Sequence, residues 1–213
     1  MLQEERHKRS IDIIHPEKLN FPIHILGAGG VGSWTALLLA KMGCQNISIY
    51  DFDRVEDHNV ASQYFKESQL GHQKTKALAY NVLEQTGIKL FAFNAEFEQN
   101  IAPEKEELVI ITVDSMKRRA ELAEMFKNRN VYIIDSRMGG LQLEIYCNKA
   151  INYPKTIVDP ELVDRERCTE RAISFNCAVI SGLIANYVRL YADNKIEEGS
   201  IIFGFNDILL LKQ

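Results

Sequence analysis

Ile23-His24-Ile25-Leu26-Gly27-Ala28-Gly29-Gly30-Val31-Gly32-Ser33 is an apolar run halted by a glycine-rich turn, and the helical stretch Ser33–Lys41 follows it at once. A second apolar run, Ile47–Tyr50, ends in Asp51-Phe52-Asp53. Strand, glycine turn, helix and strand make a βαβ unit of about 30 residues. Gly27, Gly29 and Gly32 form its G-x-G-x-x-G. The first permits a tight turn, the second lets a phosphate approach the backbone, and the third lets helix and strand pack closely. The helix N-terminus offers unbonded N–H groups and a partial positive charge to an anion. Asp51 lies 22 residues beyond Gly29, where an acid can accept hydrogen bonds from ribose hydroxyls. The unit predicts nucleotide binding. By itself it fits a nicotinamide dehydrogenase as well as an ATP-using enzyme.

Further along, apolar residues recur at helical spacing through Leu78, Val82 and Leu83, and Leu90–Phe93 reads as another strand. Leu108–Val113 is continuously apolar apart from Thr112, as expected of a strand buried on both faces of a parallel sheet. It breaks at Asp114-Ser115, where Ser115 is placed to cap a helix over Met116–Asn128. Val131–Ile134 is the next strand, followed by Asp135. Three strands each followed by an aspartate are informative, because open α/β sheets bind ligands beyond the carboxyl ends of their strands. After Gly139-Gly140 the pattern changes. Leu141–Tyr146 alternates like a half-buried strand, and Cys147–Arg167 is polar, carries Pro154 and Pro160, and reads as a long crossing loop. A helix over Arg171–Tyr191 precedes a hairpin of Ile201–Phe205 and Ile208–Leu211, turned at Asn206-Asp207. The fold expected is a Rossmann-like α/β one: a mostly parallel sheet flanked by helices, with mixed, antiparallel strands in the C-terminal part. Residues 1–213 form a single domain on this reading, without repeats or an interdomain linker.

Composition removes several classes of function. The chain has 213 residues, 46% of them hydrophobic and 25% charged, with a net charge of −4. That balance argues against a nucleic-acid binder held by counterion release. No segment is apolar for the roughly 18 residues that a membrane span needs. The N-terminal MLQEERHKRSIDII begins charged and lacks the apolar core of a signal peptide, so a cytoplasmic location is expected. The four cysteines, Cys44, Cys147, Cys168 and Cys177, contain no C-x-x-C pair, so neither a disulfide scaffold nor zinc is expected.

The segment after the ribose acid separates the two nucleotide readings. Val55-Glu56-Asp57-His58-Asn59-Val60-Ala61-Ser62-Gln63 gathers polar side chains, and Gly71-His72-Gln73-Lys74 supplies a lysine at the start of the next helix. A lysine there suits a triphosphate better than a dinucleotide. GAGGVGS, DFDRVEDHN with Gln63, Gly71-x-x-Lys74, and Asp114 after an apolar strand together resemble the ThiF/HesA/MoeB family, which shares its adenylation fold with ubiquitin-activating enzymes. The resemblance runs over essentially the whole chain.

It implies an enzyme that binds MgATP, adenylates the Gly-Gly carboxylate of a small ubiquitin-like or sulfur-carrier protein, and releases pyrophosphate. By resemblance Asp51 binds the ribose, Asn59 contacts the phosphates and Lys74 neutralises their charge. Asp114 holds Mg²⁺, a hard cation suited to carboxylate and phosphate oxygens. Asp53 and Gln63 match the family's nucleotide-site pattern. The position before Gln63 is commonly a phosphate-gripping Arg in the family but is Ser62 here; Arg54 and Lys66 are nearby substitutes in the sequence. Arg6-His7-Lys8-Arg9 resembles the family's opening R-x-x-R, which makes Arg9 a finger supplied to the other subunit of a homodimer.

Cys168 matches the position that accepts carrier or sulfur. It sits among Arg165, Arg167 and Arg171 just before the expected helix, where nearby cations and a helix N-terminus favour thiolate. Two other readings carry different chemistry. One is a non-catalytic family member binding nucleotide or a partner as a scaffold, for which Ser62 speaks. The other is a nicotinamide oxidoreductase, against which stands the lack of a comparable substrate domain.

Overall fold

Ile23–Leu26 forms strand β1, buried along its whole length. The computed structural model in which it lies describes residues 2–98, 107–158, 172–206 and 209–212. The other strands are β2 (Ile47–Tyr50), β3 (Phe91–Phe93), β4 (Leu108–Ile111), β5 (Tyr132–Gly139), β6 (Gln142–Lys149), β7 (Gly199–Gly204) and β8 (Leu209–Lys212). They make one eight-stranded sheet in the order β3-β2-β1-β4-β5-β6-β7-β8. The first five are mutually parallel and the last three are added antiparallel, which is the mixed architecture read from the sequence.

Alternation in these short strands serves two cores. Ile23, Ile25, Leu108 and Ile110 pack on one face beneath α2 (Gly30–Met42), α4 (Lys74–Thr86) and α6 (Ser174–Ala192). Leu26, Val109 and Ile111 face the other side, with Leu122 and Phe126 of α5 (Met116–Phe126). A strand covered on both faces must be apolar at every position, hence the continuous runs. The chain leaves β1 toward β2 on one side, and β4 pairs on its other side, so the strand order reverses at β1. Sheets of this kind bind ligands at that switch point.

Two short helices matter for the site. α1 (Leu2–His7) packs at the far end of the sheet: Arg6 donates to the Thr86 carbonyl at the end of α4, and His7 lies against Gly43 at the end of α2. α3 (Asp57–Val60) lies on the polar loop after β2.

Several boundaries differ from the sequence reading. β5 does not stop at Asp135 but runs on to Gly139, because β6 pairs with it throughout and Asp135 is neutralised by two arginines. Cys147 and Lys149 belong to β6, and Tyr153–Thr156 forms a 3-10 turn with Tyr153 fully buried, so the first part of the expected long loop is packed structure. β4 ends at Ile111, where Thr112 turns its hydroxyl onto the Leu26 and Gly27 carbonyls at 3.0 and 2.9 Å. The last long helix begins at Ser174, after extended Ile173. Asp207 of the hairpin turn lies outside the described residues. Among the described residues, no helix is long and apolar enough to cross a membrane.

Candidate nucleotide site

Beyond the carboxyl ends of β2, β1, β4 and β5 opens a cleft of about 830 Å³. Gly27, Gly29, Asp51, Asp53, Asn59, Gln63, Lys74 and Asp114 all line it. Residues up to 87 apart in sequence are thus brought to one place by the order of the strands.

The three glycines of the motif occupy different environments. Gly27 has φ +105°, a left-handed conformation that side chains resist. At Gly32 an added Cβ would stand 1.9 Å from the Gly27 carbonyl oxygen, so helix and turn are in direct backbone contact. At Gly29 nothing lies within 4 Å of such an atom; this face of the turn is open to a ligand. Gly29 is the N-cap of α2 and provides no side-chain cap, which leaves the helix's first N–H groups available to an anion.

Asp51 is half-buried, and its two oxygens accept from Ala28 N at 2.7 Å and Asp53 N at 2.8 Å. One carboxylate therefore braces both the glycine turn and the following loop. Segments around Arg54 and Gln73 then run side by side, delivering Lys74 to Asp53. Lys74 N donates to the Asp53 carbonyl at 3.0 Å, and its buried ammonium meets the Asp53 carboxylate at 2.8 Å. Asn59 is buried and closes a capping box, its side-chain oxygen accepting from Glu56 N at 2.9 Å. That fixes the amide and leaves its NH₂ without a described partner. Gln63 Oε1 is buried with no hydrogen-bond partner among the described residues.

Asp114 is exposed, and no partner is described for its carboxylate. Ser115, not Asp114, caps α5, accepting from Arg118 N at 3.3 Å. Among the described residues no three His, Cys, Asp or Glu side chains cluster as a metal cage. An exposed carboxylate in the same cleft as the open glycine turn nevertheless fits Mg²⁺, which is commonly held by one or two carboxylates plus substrate phosphates and water.

Ser62 also lines the cleft, and its carbonyl accepts from Trp34 Nε1 at 2.9 Å. Neither cation near it in sequence takes the place of an arginine there. Arg54 is bound to the Gly71 carbonyl at 2.7 Å, and Lys66 to Glu84 at 2.5 Å. The cations that do line the cleft, besides Lys74, are Lys117, Arg118, Arg119 and Arg137, none of which the sequence reading singled out. The pair of arginines opening α5 and the aspartate on the neighbouring strand were the available signal.

Arg9 is exposed and lies at the opposite end of the sheet from the cleft, just past α1. Cys168 lies outside the described residues. The other three cysteines are buried; burial pushes the Cys44 and Cys147 thiols up to about 12 and Cys177 to about 11, so none of them is poised as a thiolate.

The model of the ThiF family matches residues 17–200. Adenylyltransferase and sulfurtransferase MOCS3 of Caenorhabditis briggsae is 34% identical over 87 residues, 40% of this chain and 22% of that protein. Ubiquitin-like modifier-activating enzyme 5 of Dictyostelium discoideum is 23% identical over 220 aligned positions, 89% of this chain and 57% of its own length. The chain thus spans well under two thirds of these relatives. Among solved structures, PaaA superposes with a TM-score of 0.80 at 16% identity, covering 99% of this chain and 73% of that one. E. coli MccB with MccA-N7isoASN gives 0.79 at 18% identity, covering 99% and 71%. These likenesses are of fold. With its family match running from before β1 through the glycine turn and cleft to the end of the last long helix, the chain belongs to the ThiF family.

Proposed function

We propose that this protein is an ATP-dependent adenylyltransferase that activates the C-terminal Gly-Gly carboxylate of a small ubiquitin-like or sulfur-carrier protein. The observation that carries the reading is the linked set Ala28–Asp51–Asp53–Lys74 across the cleft from Asp114. It sets a ribose acceptor, an open backbone turn and a phosphate-neutralising cation side by side. A carboxylate oxygen attacks the α-phosphorus, the bond to the β-phosphate oxygen breaks, and pyrophosphate leaves with the electron pair. No proton needs to move, so positioning and charge neutralisation do the catalysis. Asp51 holds the ribose, the Gly29 turn and Asn59 hold phosphate oxygens, and Lys74 shifts from Asp53 toward the leaving pyrophosphate. Asp114 would hold Mg²⁺, which would screen the phosphates from the incoming anion. MOCS3 and the modifier-activating enzymes carry adenylyl and modifier activation in their names, which supports transferring the reaction class to this chain.

ATP–pyrophosphate exchange by the purified chain is expected to require a carrier ending in Gly-Gly. With carrier and MgATP, a reductant-labile adduct on Cys168 is expected, absent in Cys168→Ala while exchange persists. Tight nucleotide binding without exchange, with every such carrier tried, would leave the scaffold reading instead.

The position of α1 supports a homodimer. α2, of 13 residues, is about 20 Å long and separates the His7–Gly43 contact from the glycine turn. An arginine side chain at position 9 does not cover that distance, so Arg9 acts in a partner's cleft if it acts in catalysis. Mixing Arg9→Ala subunits with Lys74→Ala subunits should restore roughly a quarter of wild-type exchange, since each heterodimer holds one intact site. No recovery, with subunit exchange confirmed, removes the trans role.

A further inference from the structure

The wall of the cleft on β5 holds two buried arginines bridged by one buried aspartate. Asp135, with 0% exposure, accepts from Arg119 Nε at 2.9 Å on one oxygen and from Arg137 Nε at 2.8 Å on the other. Both arginines are more than nine-tenths buried and both line the cleft. Arg119 further donates to the Asp114 and Ser136 carbonyls, at 3.2 and 2.8 Å. Arg137 donates to the carbonyl and hydroxyl of Thr156, at 2.9 and 3.1 Å, and stacks 4.1 Å over the Tyr146 ring. Tyr153, buried close by, is held protonated by burial and by the negative Asp135 beside it. Glu144, opposite Arg137 on β6, accepts from the Tyr146 hydroxyl at 3.0 Å, so a second carboxylate stands at the margin of the cluster. An anion arriving from the cleft would meet two guanidinium groups whose donors the bonds above do not use up. Each guanidinium has five N–H donors and spends three in the bonds above.

Strand order says which anion. From β2 to β5 the cleft presents Asp51, then Gly27, then Asp114, then Arg137. Strands are spaced about 4.8 Å apart, so β5 stands about 10 Å beyond β1. Lys74, paired with Asp53, lies on the β2 side of the glycine turn, and Arg137 lies on the opposite side. In a displacement at phosphorus the attacking and leaving groups lie on opposite sides of it. Lys74 serves the leaving pyrophosphate. We propose that Arg119 and Arg137, bridged by Asp135, receive the carboxylate of the acyl substrate and aim it at the α-phosphorus. This rests on the adenylation reading above and adds the subsite for its second substrate. When the carboxylate oxygen bonds to phosphorus and pyrophosphate departs, the acyl group loses its negative charge, and the arginines' hold on it weakens.

The test uses the full chain saturated with a non-hydrolysable ATP analogue and Mg²⁺, which fills the phosphate positions. Acetate, titrated against chloride at equal ionic strength, should raise the melting temperature of the wild type. Arg137→Gln should abolish that rise while nucleotide affinity stays within about twofold. Arg137→Lys, which keeps the charge, should retain a rise at acetate concentrations about tenfold higher. In exchange assays Arg137→Gln should raise KM for the carrier about tenfold or more and leave KM for ATP unchanged. A general loss of stability would not give that split. An acetate effect seen without nucleotide but lost on saturation would assign the arginines to a phosphate and overturn the proposal. So would no acetate effect in the wild type, or an undiminished one in Arg137→Gln. An analogue that fails to bind would overturn the nucleotide reading itself, and that failure appears before any acetate is added.

Discussion

Asp114→Ala is expected to lower carrier-dependent ATP–pyrophosphate exchange by about 10²–10³-fold or more while leaving the melting temperature unchanged. The two halves of this expectation have separate causes. The carboxylate is exposed and has no described partner, so its removal deletes no intramolecular bond. The helix behind it keeps its cap, because Ser115 supplies that, and Arg119 binds the main-chain carbonyl of Asp114, which alanine retains. What is lost is the proposed oxygen ligand for Mg²⁺, needed on that reading when one anion attacks another. Far-UV circular dichroism, thermal melting and exchange on one preparation decide it. A folded Asp114→Ala protein with near-normal exchange would remove Asp114 from the metal role.

Gly32→Ala should act oppositely, on the fold. The added methyl would stand 1.9 Å from the Gly27 carbonyl oxygen and 2.7 Å from Thr112 Oγ1. The carbonyl belongs to the backbone of the turn and itself accepts from Thr112 at 2.9 Å, so it cannot retreat without opening the β1–α2 junction. A loss of about 4 kcal/mol or more is expected, enough to leave much of the protein unfolded at 37 °C. Gly29→Ala is the control. Gly29 has φ −78° and open space around its Cβ position, so the variant should melt like the wild type and bind nucleotide more weakly. Urea denaturation of the pair checks this. A Gly32→Ala protein within about 1 kcal/mol of wild type would mean that the turn and helix are not in contact.

The first half of the fold was legible because its signals are local. A glycine spacing, an apolar run and an aspartate just past it each act over a few residues, and they placed Gly27, Gly29 and Asp51 in one cleft. Asp135 shows where local reading stops. After Val131–Ile134 it looked like a strand end, as Asp51 is, yet it lies inside β5 because Arg119 and Arg137 neutralise it. Arg119 is 16 residues away on α5, and no periodicity announces that the helix will lay it across that strand. The Asp53–Lys74 pair, 21 residues apart, likewise depends on two loop segments lying side by side. Family resemblance supplied both residues as neighbours of the nucleotide but not their bond to one another. The C-terminal hairpin is legible from its Asn206-Asp207 turn, whereas the full length of β5 and β6 depends on their mutual pairing.

Trp34 is the chain's single tryptophan, and it stands on α2 with its indole N–H bonded to the Ser62 carbonyl and its ring 5.3 Å from that of Tyr64. It therefore joins the helix that begins at the glycine turn to the loop that carries Asn59, Ser62 and Gln63. Indole emission responds to the polarity around the ring and to the hydrogen bond on its nitrogen. Movement of that loop as nucleotide arrives would be written into the intrinsic fluorescence, with no other tryptophan to obscure it. The protein carries its own optical reporter, built into the hinge between turn and loop.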